Sequence, residues 1–302
     1  MVWRWDNERV LKEMILREWV SMNGCLMPAD EARVSVFDSG FMQGIGLFET
    51  MRSYAGRIFR LEQHLDRLAN SARALGWTAI PEPERMSVDI EQVLGVYDGM
   101  DARVRLTVTT GSLLAAAVDE PELTVVASAA LGGQYPAECY AQGVTVLASD
   151  WRQSRNDITA GHKTTSYFAR LYALRWAHAR AAFEVLWLNH DGHVAEGAIS
   201  SIFVVRNEEL ITPPLDTPIL PGITRAAVIE LAHALEMAVE EGPLTVEDVQ
   251  TADEMFLTNS MMEIVPVVRL GHQPIGNEKP GEVTRELASA YAQLVTRECG
   301  HE

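Results

Sequence analysis

Along the chain the spacing of apolar positions switches between the two-residue period of strands and the 3.6-residue period of helices, and each switch marks a predicted element. Residues 8–18 predict a short helix. "EWVSMNGCLMPADEARVSV", residues 18–36, alternates and turns like two strands joined at Asn23-Gly24, a pair that accepts the positive φ angles of a tight hairpin. "LFETMRSYAGRIFRL", residues 47–61, repeats the design with Ala55-Gly56-Arg57 as its turn. In "HLDRLANSARALG", residues 64–76, Leu65, Leu68, Ala72 and Leu75 share one helical face, and Gly76 stops the helix. "ARVRLTVTTG" and "ELTVVASAAL" predict two further strands.

The glycines and proline of "GGQYPAECYAQG", residues 132–143, interrupt two strand-like runs and predict an interdomain linker. Beyond it come a strand at 144–151, a helix at 166–181 and three strands over 184–214, with turns at Asp191-Gly192 and Asn207-Glu208. A helix over 224–237 opens after Pro221-Gly222, followed by a short helix at 245–252 and a strand at 254–260. A hairpin over 263–275 and a C-terminal helix complete the series. The class is α+β in two domains: a small α+β domain over 1–131, the linker over 132–143, and a larger strand-rich domain over 144–302 with helices around it.

Composition narrows the function. The 302 residues, 47% of them hydrophobic, are enough for two cores. A formal charge of −17 repels polyanions, so nucleic acid and anionic membrane are poor partners and a small-molecule enzyme fits better. No run approaches the ~20 apolar residues of a membrane span, and the charged opening lacks the apolar core of a secretory signal. Cys25, Cys139 and Cys299 are too few and scattered for a disulfide framework or a zinc site. The expected location is cytoplasmic.

Candidate chemistry begins with a choice of cation. The chain uses arginine almost throughout; its lysines are Lys12, Lys163 and Lys279. Lys163, in "GHKTTSYFARL", precedes a helix, where a cation opposes the helix dipole. A primary amine can condense with an aldehyde and a guanidinium cannot, which gives Lys163 a chemical reading beside that of a solvated surface lysine. In "LPGITRAAVIELA", Gly222 frees the backbone before Thr224, and such a helix start either is capped by the threonine or takes a phosphate. In "VAEGAISSIF", Glu196 is either a solvated strand end or a carboxylate for a buried cationic ring nitrogen. His190 and His193, in "NHDGH", have a spacing that suits a metal, but Asp191-Gly192 between them reads as a turn. A metal-dependent hydrolase is therefore a weak alternative, and no metal is expected.

Five segments in one order tie these residues together: "FDSGFMQGIGLFETMRSYAGRIFRLEQHLDRL", "HKTTSY", "VAEGAISSIF", "LPGITR" and "ADEMFLTNSMMEIVPV". In them the chain, from about Asn23 to about Ile275, resembles the class-IV aminotransferases. These are the fold-type-IV pyridoxal-phosphate enzymes, which include branched-chain aminotransferases, D-amino-acid aminotransferases and 4-amino-4-deoxychorismate lyases. The resemblance implies the two-domain fold-type-IV architecture and pyridoxal 5′-phosphate as cofactor. It makes Lys163 the lysine that binds the cofactor as a Schiff base and later moves a proton between substrate Cα and the cofactor's C4′. Glu196 matches the partner of the pyridine nitrogen, and Arg67 the arginine that grips the phosphate. Ile223 and Thr224 match its backbone and hydroxyl contacts, Ser260 a second hydroxyl, and Tyr167 a tyrosine near the cofactor's 3′-oxygen. A homodimer with active sites shared between subunits is implied as well.

Substrate choice draws on weaker matches. D-amino-acid enzymes resemble one another in an Arg-x-His pair where this chain has Thr110, which disfavours that activity. Arg105 matches a pocket arginine of several branched-chain enzymes. The run Asn259-Ser260 followed by apolar residues resembles the lyases. Gly44-Ile45-Gly46 stands where the family usually has Gly-Asp-Gly, so the loop edging the pocket lacks its acid. The amides of Ser260, Met261 and Met262 would hold a substrate carboxylate, and the two methionines would form a soft apolar wall suited to a hydrophobic amino acid. The expected activity is an aminotransferase acting on a hydrophobic or branched-chain amino acid and a 2-oxo acid. A 4-amino-4-deoxychorismate lyase is the alternative, and a non-catalytic cofactor-binding module a distant one.

Overall fold

A computed structural model of the chain describes residues 18–97, 99–114, 122–132, 135–154 and 156–300. The helix expected over residues 8–18 lies outside them, but for its last position. The described residues form two compact units: one runs to residue 132 and includes residues 298–300, and the other runs from residue 135 to Arg297.

In the first unit, β1 (Trp19–Met22), β2 (Cys25–Pro28), β3 (Gly46–Tyr54), β4 (Arg57–Ile58), β5 (Ala102–Thr109) and β6 (Thr124–Leu131) form one sheet in the order β2-β1-β6-β5-β3-β4. Every pairing in it is antiparallel. Asn23 and Gly24 adopt φ of 49° and 82°, and Met22 pairs with Cys25, so the first hairpin turns on those two residues alone. The second turns on Ala55 and Gly56, at 48° and 78°, because Arg57 already pairs with Tyr54 in β4. The three-residue turn expected there is shorter by one.

The helices of this unit are α1 (Ser39–Gln43), α2 (Leu61–Ala74) and α3 (Pro83–Gly95). Leu65, Leu68 and Ala72 of α2 and Met86, Ile90 and Val93 of α3 close over Leu47, Met51, Val104, Leu106 and Val108 of the sheet. α3 occupies a stretch for which the apolar pattern above names no element. Its signals are a proline in the first turn and three apolar residues on one face.

The second unit opens with α4 (Ala137–Gln142), inside the segment expected to be a linker. Cys139 and Tyr140 pack on this unit's core, and the Tyr140 hydroxyl donates to Met262 O at 3.2 Å. The strands are β7 (Val144–Gln153), β8 (Glu184–Asn189), β9 (Val194–Gly197), β10 (Ser201–Arg206), β11 (Glu209–Thr212), β12 (Val239–Glu241), β13 (Glu254–Asn259), β14 (Glu263–Leu270) and β15 (Gln273–Pro274). They form a sheet ordered β12-β11-β10-β13-β14-β7-β8-β9, with β15 beside β14. The helices are α5 (Phe168–His178), α6 (Ile223–Ala234), α7 (Val246–Gln250) and α8 (Glu282–Cys299).

Residues 184–214 hold four strands where three are expected. The extra break falls at Ala198–Ser200, between β9 and β10. There the Ala198 amide is shared between Val185 O, at 3.2 Å, and the Glu184 carboxylate, at 3.1 Å, and the Ile199 amide turns to the same carboxylate at 3.2 Å. A buried side chain absent from the local pattern thus sets this strand boundary.

Candidate active site

Glu196 is the penultimate residue of β9 and is 3% exposed. A carboxylate so buried must be compensated. Its Oε2 accepts from Leu220 N at 3.0 Å and its Oε1 from Arg170 Nη2 at 2.5 Å. Arg170 stands on α5, seven positions after Lys163. Its Nη1 donates to Gly197 O and Ala198 O at 3.3 and 3.4 Å, and its guanidinium lies 5.8 Å from the Trp187 ring centroid. Sequence reasoning passed over Arg170; an arginine among the apolar residues that open a helix was the available signal.

The loop after Glu196 is held from beneath. Glu184, fully buried, accepts from Val185 N, Ala198 N, Ile199 N and the Ser200 hydroxyl. Burial pushes its carboxyl up to about 7 against the opposing pull of those four donors. Gly197 is needed here because a Cβ would overlap Ser200 Oγ and come within 3.1 Å of Glu184 Cδ. Gly197→Ala should cost about 1–3 kcal/mol of stability, read as a lowered urea midpoint. An unchanged midpoint would mean the loop relaxes without cost.

Lys163 lies half-buried in the irregular segment between β7 and α5, with its Nζ 5.7 Å from the Tyr167 ring centroid. Burial lowers the pKa of neighbouring His162, which keeps that ring neutral at neutral pH rather than a second cation beside the amine. The Tyr167 hydroxyl donates to Ala198 O at 3.2 Å, on the loop that follows Glu196.

One short segment joins these parts. Pro218 O accepts from Gln153 Nε2 at 2.5 Å, Ile219 O is 3.3 Å from where a Cβ on Gly161 would stand, and Leu220 N binds Glu196. The chain then enters α6 at Gly222, which has no side-chain cap. A Cβ on Gly222 would lie 2.7 Å from Ser201 Oγ, so the helix start approaches β10 closely only as glycine. The Thr224 hydroxyl is buried without a hydrogen-bond partner. The first-turn amides, among them those of Ile223 and Thr224, have no intrahelical acceptor. A buried hydroxyl beside such amides is built to receive an oxyanion, and the residues present fit a phosphate.

The turn after β13 departs from expectation. The amides of Met261 and Met262 both donate to Asn259 Oδ1 at 2.8 Å, while Asn259 Nδ2 donates to Ile199 O at 3.0 Å. Those two amides serve the turn rather than a substrate carboxylate. Met262 is a fully buried core residue, not a pocket wall; Met261 is 7% exposed. Ser260 lies in this turn, half-buried.

Arg67 and Arg105 belong to the first unit. On α2, Arg67 is clasped by the buried Glu49 of β3, Nε to Oε1 at 2.8 Å and Nη2 to Oε2 at 2.6 Å, with His64 Nδ1 2.9 Å from Oε2. Burial raises the Glu49 pKa, but Arg67 and His64 outweigh it and bring the carboxyl down to about 2. Arg105 lies over the Phe48 ring, 3.8 Å from its centroid, with Nε 3.3 Å from Thr107 Oγ1. It is half-buried, on the face of β5 opposite the buried Val104 and Leu106. Ile45 is 40% exposed just before β3.

Known proteins with these features were compared with the chain. The model of the class IV amino-transferase family matches residues 46–270. A Methanocaldococcus jannaschii protein with the provisional name branched-chain-amino-acid aminotransferase is 34% identical over 284 residues, covering 92% of this chain and 96% of that one. The aminodeoxychorismate lyase of Bacillus subtilis is 31% identical over 282 residues, covering 91% and 94%. The crystal structure of the Escherichia coli branched-chain amino acid aminotransferase superposes with a TM-score of 0.85 at 28% identity, over 93% of this chain and 96% of that one. The family match spans most of the chain and reaches into both units, and the chain belongs to the class IV amino-transferase family.

Proposed function

We propose that the chain is a pyridoxal-phosphate-dependent aminotransferase that exchanges the amino group of a hydrophobic, branched-chain amino acid with a 2-oxo acid. The observation that carries the cofactor assignment is the buried, unpartnered Thr224 hydroxyl at an uncapped helix start. Among similar structures, the branched-chain amino acid aminotransferase of Thermobaculum terrenum is solved in its pyridoxal-phosphate form, at 25% identity and a TM-score of 0.82 over 94% of this chain and 96% of that one.

When bound, the cofactor supplies an electron sink for the bond broken at substrate Cα. Lys163 would hold it covalently. Once freed by the substrate amine, the Lys163 amine would serve as the base for the Cα proton and as its carrier. Glu196 would face the ring nitrogen and favour its protonated form. Thr224, the Ile223 amide and Ser260 would bind the phosphate, and Tyr167 would align the ring. In the first unit, Arg67, oriented by Glu49, is the candidate phosphate arginine and Arg105 the candidate substrate arginine.

Thr224→Val tests the phosphate seat with two opposed readouts. Replacing an unsatisfied buried hydroxyl by a methyl group should leave the apoprotein at least as stable as the parent. Cofactor affinity should fall about tenfold to a hundredfold. Unchanged affinity would remove Thr224 from the phosphate site.

The lyase reading is kept by Asn259-Ser260 and by the Bacillus subtilis relative. Release of 4-aminobenzoate from aminodeoxychorismate would establish it. We assign the same protein a homodimeric state, supported by the exposed Phe168, Leu171 and Tyr172 on α5 and by Phe37, Phe41 and Met42 in the first unit. A cytoplasmic location accords with the free thiols Cys25, Cys139 and Cys299. Among the described residues no helix is long and apolar enough to cross a membrane.

A further inference from the structure

Glu196 is served by more than one cation in this account. Ordinary burial of a lone carboxylate would be costly, and Arg170 already offsets that cost in the protein itself. A carboxylate has about four acceptor positions. Arg170 and Leu220 N occupy one on each oxygen, so Glu196 keeps the capacity to accept from a third donor. Arg170 is anchored independently by Gly197 O and Ala198 O and by the nearby Trp187 ring, so its position does not depend on that third donor. It is half-buried and permanently charged.

We propose that Arg170 is a positioning residue that shares Glu196 with the ring nitrogen of the bound cofactor and lowers that nitrogen's proton affinity. The inference rests on the assignment of Glu196 to that nitrogen. With Arg170 present, the carboxylate and guanidinium already cancel, so a proton added to the ring gives the cluster a net positive charge. Without Arg170 the same proton would neutralise the cluster. The other titratable groups interacting with Arg170 are Glu184, beneath the Ala198–Ser200 loop, and Tyr167, at the start of α5. Neither cancels the Arg170–Glu196 effect, because each remains in place when Arg170 is replaced. The ring is therefore a weaker electron sink here than beside an unshared glutamate, which places more of the work of proton removal on Lys163.

The test uses the holoenzyme loaded with pyridoxal phosphate carrying 15N in the ring, whose NMR shift reports protonation of that nitrogen directly. In R170Q the apparent pKa of the ring nitrogen should rise by about one unit or more, while R170K, which keeps the charge, should stay near the parent. R170Q titrating like the parent overturns the proposal, as does R170K rising as far. R170M, which also removes the charge, takes its place if R170Q fails to fold. E196Q separates the two layers. A ring signal unmoved by E196Q removes Glu196 from the nitrogen and with it the underlying assignment. A signal moved by E196Q but not by R170Q leaves that assignment standing and removes Arg170 alone.

Discussion

Lys163→Ala should abolish turnover, with kcat/KM for transamination falling by at least about 10³-fold. The loss has two sources. The variant has no amine to hold the cofactor covalently, and no base at the position from which the Cα proton leaves. Lys279, in the loop before α8, offers no substitute. Because cofactor binding also draws on the phosphate seat at Gly222–Thr224, the variant should still take up pyridoxal phosphate. After borohydride and denaturation the variant should carry no covalently attached cofactor, whereas the parent should retain it on Lys163, read by intact mass. Cofactor fixed to the variant by borohydride would move the chemistry to another amine.

The second large effect is expected at Glu49. Arg67 is 9% exposed at its side chain and Glu49 1%, so solvent screening is slight. Glu49→Gln removes the buried carboxylate that Arg67 and His64 both contact, and breaking such a pair costs about 3–5 kcal/mol. The same ion pair predicts an acid limit. Glu49 titrates near 4.5 without its partners and at about 2 in the fold. A depressed carboxyl contributes stability that is present above its unfolded pKa and is lost as pH falls through its folded one. Roughly 3 kcal/mol should therefore disappear between about pH 4.5 and 2. Urea unfolding across that window should show the loss in the parent and a flatter profile in E49Q. Cofactor affinity should drop in E49Q as well, since Arg67 loses the clasp that orients it. A variant as stable as the parent at neutral pH would show that Arg67 finds another partner.

Much of this protein is legible in short-range pattern. Asn23-Gly24 and Asn207-Glu208 announce hairpins because few residue pairs tolerate two successive positive φ angles. Leu65, Leu68 and Ala72 announce α2 because a helix against a sheet must bury one stripe. Lys163 stands out because the chain otherwise avoids lysine. Among the site residues, what the pattern misses is long-range polar contact. Glu184 looks like the ordinary start of a strand, yet it ends a different one by taking the amides of Ala198 and Ile199. Asn259 looks like the end of β13, yet it takes the Met261 and Met262 amides that were expected to face substrate. Arg170 is marked only as an arginine among apolar residues, and nothing in "SYFARLYALR" reveals that Glu196 lies beside it.

Substrate preference is the least legible feature, because pocket walls come from residues distant in the chain. Met262 illustrates this. Beside Met261 it suggests a lining residue, and the core of the second unit claims it instead.

The central claim is that Lys163, Glu196 and the Gly222–Thr224 helix start together run amino-group transfer on a hydrophobic amino acid. A half-reaction tests it most directly. The purified holoenzyme is mixed with single L-amino acids or D-amino acids and no acceptor, and the cofactor's own spectrum is followed. The account predicts conversion to the pyridoxamine form by branched-chain L-amino acids, with stoichiometric release of the 2-oxo acid. A cofactor that stays in its aldehyde-derived form with every amino acid offered, in a protein that binds it through Lys163, would contradict it.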